Sequence, residues 1–303
     1  MRVIVTGGSG LIGRALVDAL RADGHQPVLV SRSPDRLTDL PAGVETARWD
    51  AADAERFAEI AAAADAVVHL AGESIASGRW TAERKRRIRD SRVRSTAAVA
   101  KALGGMESPP GVLLQGSAVG FYGPRGDEEV DESDALGTDF LAEVCGAWEA
   151  ASAAVEERGV RRAILRTGVV LDRDGGALPR MALPFKLFAG GPVGGGGQWL
   201  PWIHLADEIG AIRFLLEHPE ARGPFNLTAP EPVTNRELAK SLGRALGRPS
   251  FVPTPGFALS LAMGEMSTLV LEGQRAVPRA LFDLGYGFLF PRIDDALADL
   301  YGS

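Results

Sequence analysis

The sequence predicts a doubly wound α/β fold, a parallel sheet covered by helices on both faces, with a smaller, mostly helical C-terminal domain. Two observations predict it. Short β-branched runs alternate with amphipathic helical segments through the first half of the chain, and a glycine-rich turn separates the first run from the first helical segment. Arg2-Val-Ile-Val-Thr6 reads as a strand, and Leu11 to Ala22 as a helix with apolar residues three to four apart. The same unit recurs as a strand at Pro27 to Ser31, a helix at Ala54 to Ala64, a strand at Ala66 to Ala71, a helix at Arg84 to Leu103 and a strand at Gly111 to Gly116. A helix from Phe140 through Val155 and a strand at Arg162 to Thr167 continue it. The stretch Gly190 to Gly197 interrupts the alternation and reads as a mobile loop, a lid over a cleft. Thr234-Asn-Arg-Glu237 has capping-box spacing and opens a helix. The division expected is 1–170, with a returning contribution from 198–228, against 171–197 and 229–303.

Composition narrows the function. With 303 residues, 46% of them hydrophobic, the chain can bury a large core. Its 33 basic against 39 acidic residues give a formal charge of −6, which offers no basic field to hold nucleic acid. No stretch approaches the roughly 20 apolar residues that cross a bilayer, and Met1 to Val5 runs straight into a strand. A cytoplasmic monomer or homodimer is expected, with no membrane partner. The single cysteine, Cys145, forms no intrachain disulfide.

The turn Thr6-Gly-Gly-Ser-Gly-Leu-Ile-Gly13 carries the clearest chemistry. Gly7 permits the sharp turn, Gly10 lets a pyrophosphate approach the backbone, and Gly13 allows close packing of helix on strand; the helix N-terminus, with Leu11 and Ile12, faces the anion. This is a Rossmann dinucleotide site. An enzyme that takes NAD places a carboxylate at the end of the second strand, but this chain has Ser31-Arg32, and Arg36 follows one turn on. A hydroxyl and guanidinium groups suit a 2′-phosphate, so NADP(H) is the expected cofactor.

The glycine turn, Asp65-Ala-Val-Val-His-Leu-Ala71, Phe121-Tyr-Gly123 and Trp202-Ile-His-Leu-Ala-Asp207 together resemble the extended short-chain dehydrogenases, the NAD(P)-dependent epimerase/dehydratase group. Ala71-Gly-Glu-Ser-Ile-Ala76, Gly78-Arg-Trp-Thr81, Asp90-Ser-Arg-Val93, Trp148-Glu149 and Glu272-Gly-Gln-Arg275 look like an atypical, sugar-nucleotide-epimerase-related branch with a C-terminal domain of unassigned function. The resemblance implies that Asp50 lies near the adenine, that Leu70, Ala71 and Gly72 run along the adenosine, and that Ser117 stands beside the nicotinamide. It also implies that backbone amides of Thr167, Gly168 and Val169 meet the carboxamide of that ring.

One departure from the group is plain. Its usual Tyr-x-x-x-Lys pair, in which the lysine lowers the tyrosine pKa, is replaced by Leu141 and Cys145. Tyr122 and Glu73, both following strands, are the substitute proton-transfer candidates beside Ser117; the bland readings are a packed phenol for Tyr122 and a loop or cap role for Glu73. In Arg84-Lys-Arg-Arg-Ile-Arg-Asp-Ser-Arg-Val-Arg94, Lys85 or Arg92 turns toward a substrate phosphate, or the run is a solvated helix face. Trp80, Trp199 and Trp202 line the cleft or pack the core, Lys186 and His204 lie on the substrate side, and His69 is a buried structural histidine. No metal site is expected, because no residues stand at ligand spacing. The expected function is an NADP(H)-dependent oxidoreductase or epimerase acting on a small polar, possibly nucleotide-linked, substrate. The alternative is a catalytically weak cofactor-binding module that senses NADPH or supports a partner.

Overall fold

The computed structural model describes residues 1–37, 40 and 43–302. Seven strands form one parallel sheet: β1 Arg2–Thr6, β2 Gln26–Ser31, β3 Glu45–Arg48, β4 Ala66–His69, β5 Val112–Ala118, β6 Arg161–Thr167 and β7 Gly223–Leu227. Their order is β7-β6-β5-β4-β1-β2-β3, all pairs parallel.

Side-chain alternation explains why helices cover both faces. Val3 and Val5 of β1 point into one core and Ile4 into the other; Val112 and Leu114 oppose Leu113 in the same way on β5. The first face receives α1 (Leu11–Ala22) and α6 (Leu205–Glu217) through Leu16, Leu20, Ile212 and Leu215. The second receives α2 (Ala54–Ala61) and α3 (Ala82–Gly105) through Phe57, Val99 and Leu103. A further core joins α5 (Leu178–Lys186), α7 (Asn235–Leu246) and the helix Ile293–Tyr301, with Trp202 at its centre. Among the described residues no helix is long and apolar enough to cross a membrane.

Boundaries shift where polar groups intervene. Helix α3 begins at Ala82 because the Thr81 side chain caps the amide of Arg84. Helix α4 (Phe140–Ala150) stops short of Val155, and a 3₁₀ turn covers Ala153–Arg158; the buried Ser152 hydroxyl bonds Gln115 on β5 instead of continuing the helix. The capping box at Thr234 and Glu237 is present in full.

The glycine stretch 190–197 departs from the expected lid. Val193 donates to Asn235 Oδ1 at 2.7 Å, Gly194 to the Thr254 carbonyl at 2.9 Å, Thr254 to Pro192 at 2.9 Å and Val252 to Gly190 at 3.0 Å. A Cβ on Gly191 would stand 2.2 Å from the Val252 carbonyl oxygen. Glycine here serves close approach of two backbones, and the loop is stitched to α7 and to residues 252–254. Gly191→Ala is therefore expected to lower stability by about 1–3 kcal/mol through overpacking. Urea unfolding measures it, and a loss under about 0.5 kcal/mol, the size of an ordinary surface change, would contradict the stitched loop.

Candidate functional site

The C-terminal ends of β1, β2, β4, β5 and β6 share one edge of the sheet, where open α/β sheets build their sites. Gly7 sits there at φ +70°, and a Cβ on it would lie 2.8 Å from the Leu70 carbonyl. A Cβ on Gly13 would lie 2.5 Å from the Gly7 carbonyl oxygen, so α1 packs tightly against its own turn. No side chain caps α1 at Gly10, and its first-turn amides stand at the positive end of the helix dipole. Thr6 bonds His69 Nδ1 at 2.7 Å, and His69 Nε2 reaches Ser95. Burial lowers the His69 pKa to about 4, so this histidine is neutral and structural, as expected.

Beyond β2, Ser31 accepts from the amide of Ser33. Arg32 and Arg36 are exposed and form no ion pair among the described residues, while neighbouring Arg48 is spent on Asp35. Asp50 is exposed and accepts from the amides of Ala52 and Asp53, which hold its carboxyl below the usual range.

A cavity of about 380 Å³ opens beside this edge. Ile12, Leu70 and Ile75 form one side, Ser117, Ala118 and Thr167 to Val170 the sheet side, and Leu141, Val144, Cys145 and Trp148 of α4 another. Trp199, Leu200, Thr268, Leu269 and Glu272 to Gln274 complete the wall. The expected exchange of Tyr-Lys for Leu141 and Cys145 thus puts apolar groups on the floor. Cys145 is buried, and burial together with Glu149 pushes its thiol up to about 12, so it is no nucleophile.

Under the floor lies a charged network not anticipated from the sequence. Arg166 of β6 donates from Nε and its second amino group to the two oxygens of Glu149 on α4, each at 3.0 Å, and Ser117 donates to Glu149 at 2.6 Å. Arg166 also donates to the Tyr122 hydroxyl, which donates to Asn226 Oδ1 at 2.7 Å. Part of the signal was available: Arg166 directly follows the apolar run Ala163-Ile-Leu165, and Glu149 follows the uncharged run Val144 to Trp148.

This network corrects the Tyr122 expectation. Its side chain is fully buried, its hydroxyl is engaged on both sides, and burial pushes its pKa up to about 12 rather than down. Glu73 is also withdrawn as an acid, since Arg84 and Arg87 hold it ionised, below its usual pKa, outside the cavity lining. The amides of Gly168 and Val169 are taken by the carbonyls of Leu227 and Pro201, so they are not available to a ring carboxamide.

The substrate-side residues divide. Trp199 and Arg92 line the cavity. Trp80 is buried against Phe140 and bonds the Ile75 carbonyl; Trp202 is buried and bonds the Glu231 carbonyl; both are packing residues. His204 caps α6 by accepting from Ala206 and stacks on Phe290, Lys85 pairs with Glu265, and Lys186 projects outward at the end of α5. None of these five reaches the cavity.

Comparison with known proteins follows the same lines. The model for the NAD dependent epimerase/dehydratase family matches residues 3–228. This chain belongs to that family. A domain of unknown function, DUF1731, matches residues 254–300. A chloroplastic epimerase family protein SDR39U1 homolog of Arabidopsis thaliana is 41% identical over 299 residues, covering 98% of this chain and 86% of the relative. The structure of human epimerase family protein SDR39U1 with NADPH superposes with a TM-score of 0.88 at 36% identity, covering 99% of both chains. A nucleoside-diphosphate sugar epimerase from Corynebacterium glutamicum gives 0.81 at 34% identity, with 100% of this chain matched to 58% of that one.

One buried acid behind the sheet edge titrates unusually. Glu208 accepts from Thr167 at 2.9 Å through one oxygen, its other oxygen has no partner among the described residues, and burial raises its pKa from 4.5 to about 8. Between pH 4.5 and pH 8 the folded chain holds a proton here that the unfolded chain has released, so stability falls as pH rises through that window. The slope should approach about 1.4 kcal/mol per pH unit, and Glu208→Gln should remove that component. Unfolding free energies measured from pH 4.5 to pH 8 test this; identical slopes in the two proteins would contradict it.

Proposed function

We propose that this chain is an NADP(H)-dependent oxidoreductase or epimerase acting on a small molecule in the cavity beside the glycine turn. The observation that carries the reading is the uncapped start of α1 beside Gly7 and Gly13, with Arg32 where a carboxylate would select NAD. The NADPH in the solved human relative supports the same choice. In this reading the first-turn amides of Leu11, Ile12 and Gly13 hold the pyrophosphate, Ser31, Arg32 and Arg36 hold the 2′-phosphate, and Leu70 to Gly72 follow the adenosine. Asp50 orders the turn at the adenine end. Of the expected substrate-side region, Thr268, Leu269 and Glu272 to Gln274 reach the cavity, where they join Ile75, Arg92 and α4.

NADP(H), when bound, supplies or accepts a hydride at its nicotinamide ring. Ser117 spends its proton on Glu149, so its oxygen can accept a hydrogen bond from a substrate hydroxyl. Arg166 holds both oxygens of Glu149 in place, which orients Ser117 and leaves no free carboxylate on the floor from this residue. Thr167 likewise donates to Glu208 and presents lone pairs to the cavity. The apolar wall of Ile75, Leu141, Val144, Leu200 and Leu269 offers few partners to a sugar or a base. The expected polar, nucleotide-linked substrate is therefore narrowed to one whose polarity is concentrated at one end. We place the reaction in the cytoplasm.

A second reading, a binding module with little turnover, is favoured by one observation. Leu141 and Cys145 leave no ionisable phenol on the floor, and losing a positioned general acid costs about 10² to 10⁴ in rate.

The cofactor reading predicts that NADPH binds at least about tenfold tighter than NADH, and that Arg32→Asp removes the preference. Calorimetry on both proteins measures it. Equal affinities in the wild type, or a preference that survives the substitution, would overturn the assignment.

A further inference from the structure

Arg92 is the one residue of the cationic α3 run that lines the cavity. Its neighbours Arg84 and Arg87 are spent on Glu73, Lys85 on Glu265, and Arg86, Arg89 and Arg94 face outward. Arg92 turns inward instead. Its guanidinium carbon stands 5.0 Å from the centroid of the Trp148 ring and 3.2 Å from where a Cβ on Gly72 would be, so glycine at 72 makes room for it. One amino group, Nη1, donates to the carbonyls of Glu73 at 2.9 Å and Ile88 at 3.0 Å.

These contacts fix the guanidinium in position and leave its chemistry unused. The remaining edge, Nε with Nη2, takes no acceptor among the described residues, and Arg92 forms no ion pair among them. The carboxylates nearby are committed elsewhere: Glu73 to Arg84 and Arg87, Glu149 to Arg166, and Asp139 to capping α4. Glu272 lines the cavity but is exposed at its rim. A half-buried cation with no counter-ion beside an apolar wall is poorly solvated, and a ligand anion would relieve that cost.

We propose that Arg92 receives the carboxylate of the substrate, which is otherwise apolar. Two parallel N–H groups on one edge match the two oxygens of a carboxylate. A single cation on the wall suits a single negative charge better than a dianionic phosphate. The apolar remainder would lie against Ile75, Leu141, Val144 and Leu269. This inference rests on the reading of the cavity as the substrate half of an NADP(H) site.

Calorimetry tests it without requiring turnover. NADPH is titrated first into the wild-type protein; failure there would count against the cofactor reading alone. The NADPH-loaded protein, or the free protein if NADPH does not bind, then receives butyrate, hexanoate, octanoate and phenylacetate, each paired with the alcohol of the same carbon skeleton. At least one acid should bind about tenfold or more tighter than its alcohol. Arg92→Met should abolish that preference while NADPH affinity stays within about threefold. Arg92→Lys keeps a charge but not the fork and should retain only part of the preference, which keeps the test usable if the methionine variant does not fold. Three outcomes overturn the proposal: no acid preferred by the wild type, a preference that persists undiminished in the variants, or Arg92→Met weakening NADPH more than about tenfold while 2′,5′-ADP binds unchanged. The last would assign Arg92 to the nicotinamide half of the cofactor.

Discussion

The buried pair between Arg166 and Glu149 holds the site together. It joins β6 to α4 through two hydrogen bonds of 3.0 Å, and Ser117 extends it to β5. The Tyr122 hydroxyl carries it on to Asn226 of β7, whose amide reaches the Val277 carbonyl in the C-terminal region. Charges buried this deeply are costly to desolvate and more costly to separate, so each partner requires the other. The pair therefore fixes the distance between the sheet and α4, and with it the shape of the cavity floor.

That constraint also explains the chemistry of the floor. Glu149 is paired with Arg166 and Tyr122 is drawn into the interior, so neither faces the cavity as a free group. Leu141 and Cys145 close the floor from α4 with apolar surface. The polar groups of the lining are the Ser117 and Thr167 hydroxyls on the sheet side, the Arg92 guanidinium edge, and Asp139, Thr268, Glu272 and Gln274. The floor itself therefore offers groups for binding and orientation, and neither Tyr122 nor Cys145 supplies it with a free acid.

Much of the fold was legible because local pattern and global architecture agree. The run Val3-Ile-Val5 belongs to a strand buried on both faces, and the glycines at 7 and 13 sit where any side chain would collide with backbone. Sequence spacing speaks only to the cofactor half of the proposed site. Glycine spacing and the charge after β2 would encode that half within some thirty residues, whereas the cavity draws on Arg92 of α3, on α4 and on Thr268, Leu269 and Glu272 to Gln274, which sequence spacing cannot bring together. Three misreadings share that origin. Tyr122 follows a strand but its ring turns inward to Asn226; the cleft alternative fails for the tryptophans at 80 and 202, which find backbone acceptors in the core; and the 190–197 stretch is hydrogen-bonded to its surroundings, with Gly191 recording a close backbone approach.

In the proposed function this apolar floor, held by Arg166 and Glu149, receives a nicotinamide ring while the 2′-phosphate lies at Arg32. A crystal structure of the chain with NADPH tests it most directly. The account predicts the pyrophosphate at the first turn of α1 and the nicotinamide between Ser117 and Val170, with the Tyr122 hydroxyl still on Asn226 and away from the ring. A nicotinamide outside this cavity, or a Tyr122 hydroxyl swung out to meet it, would contradict the account.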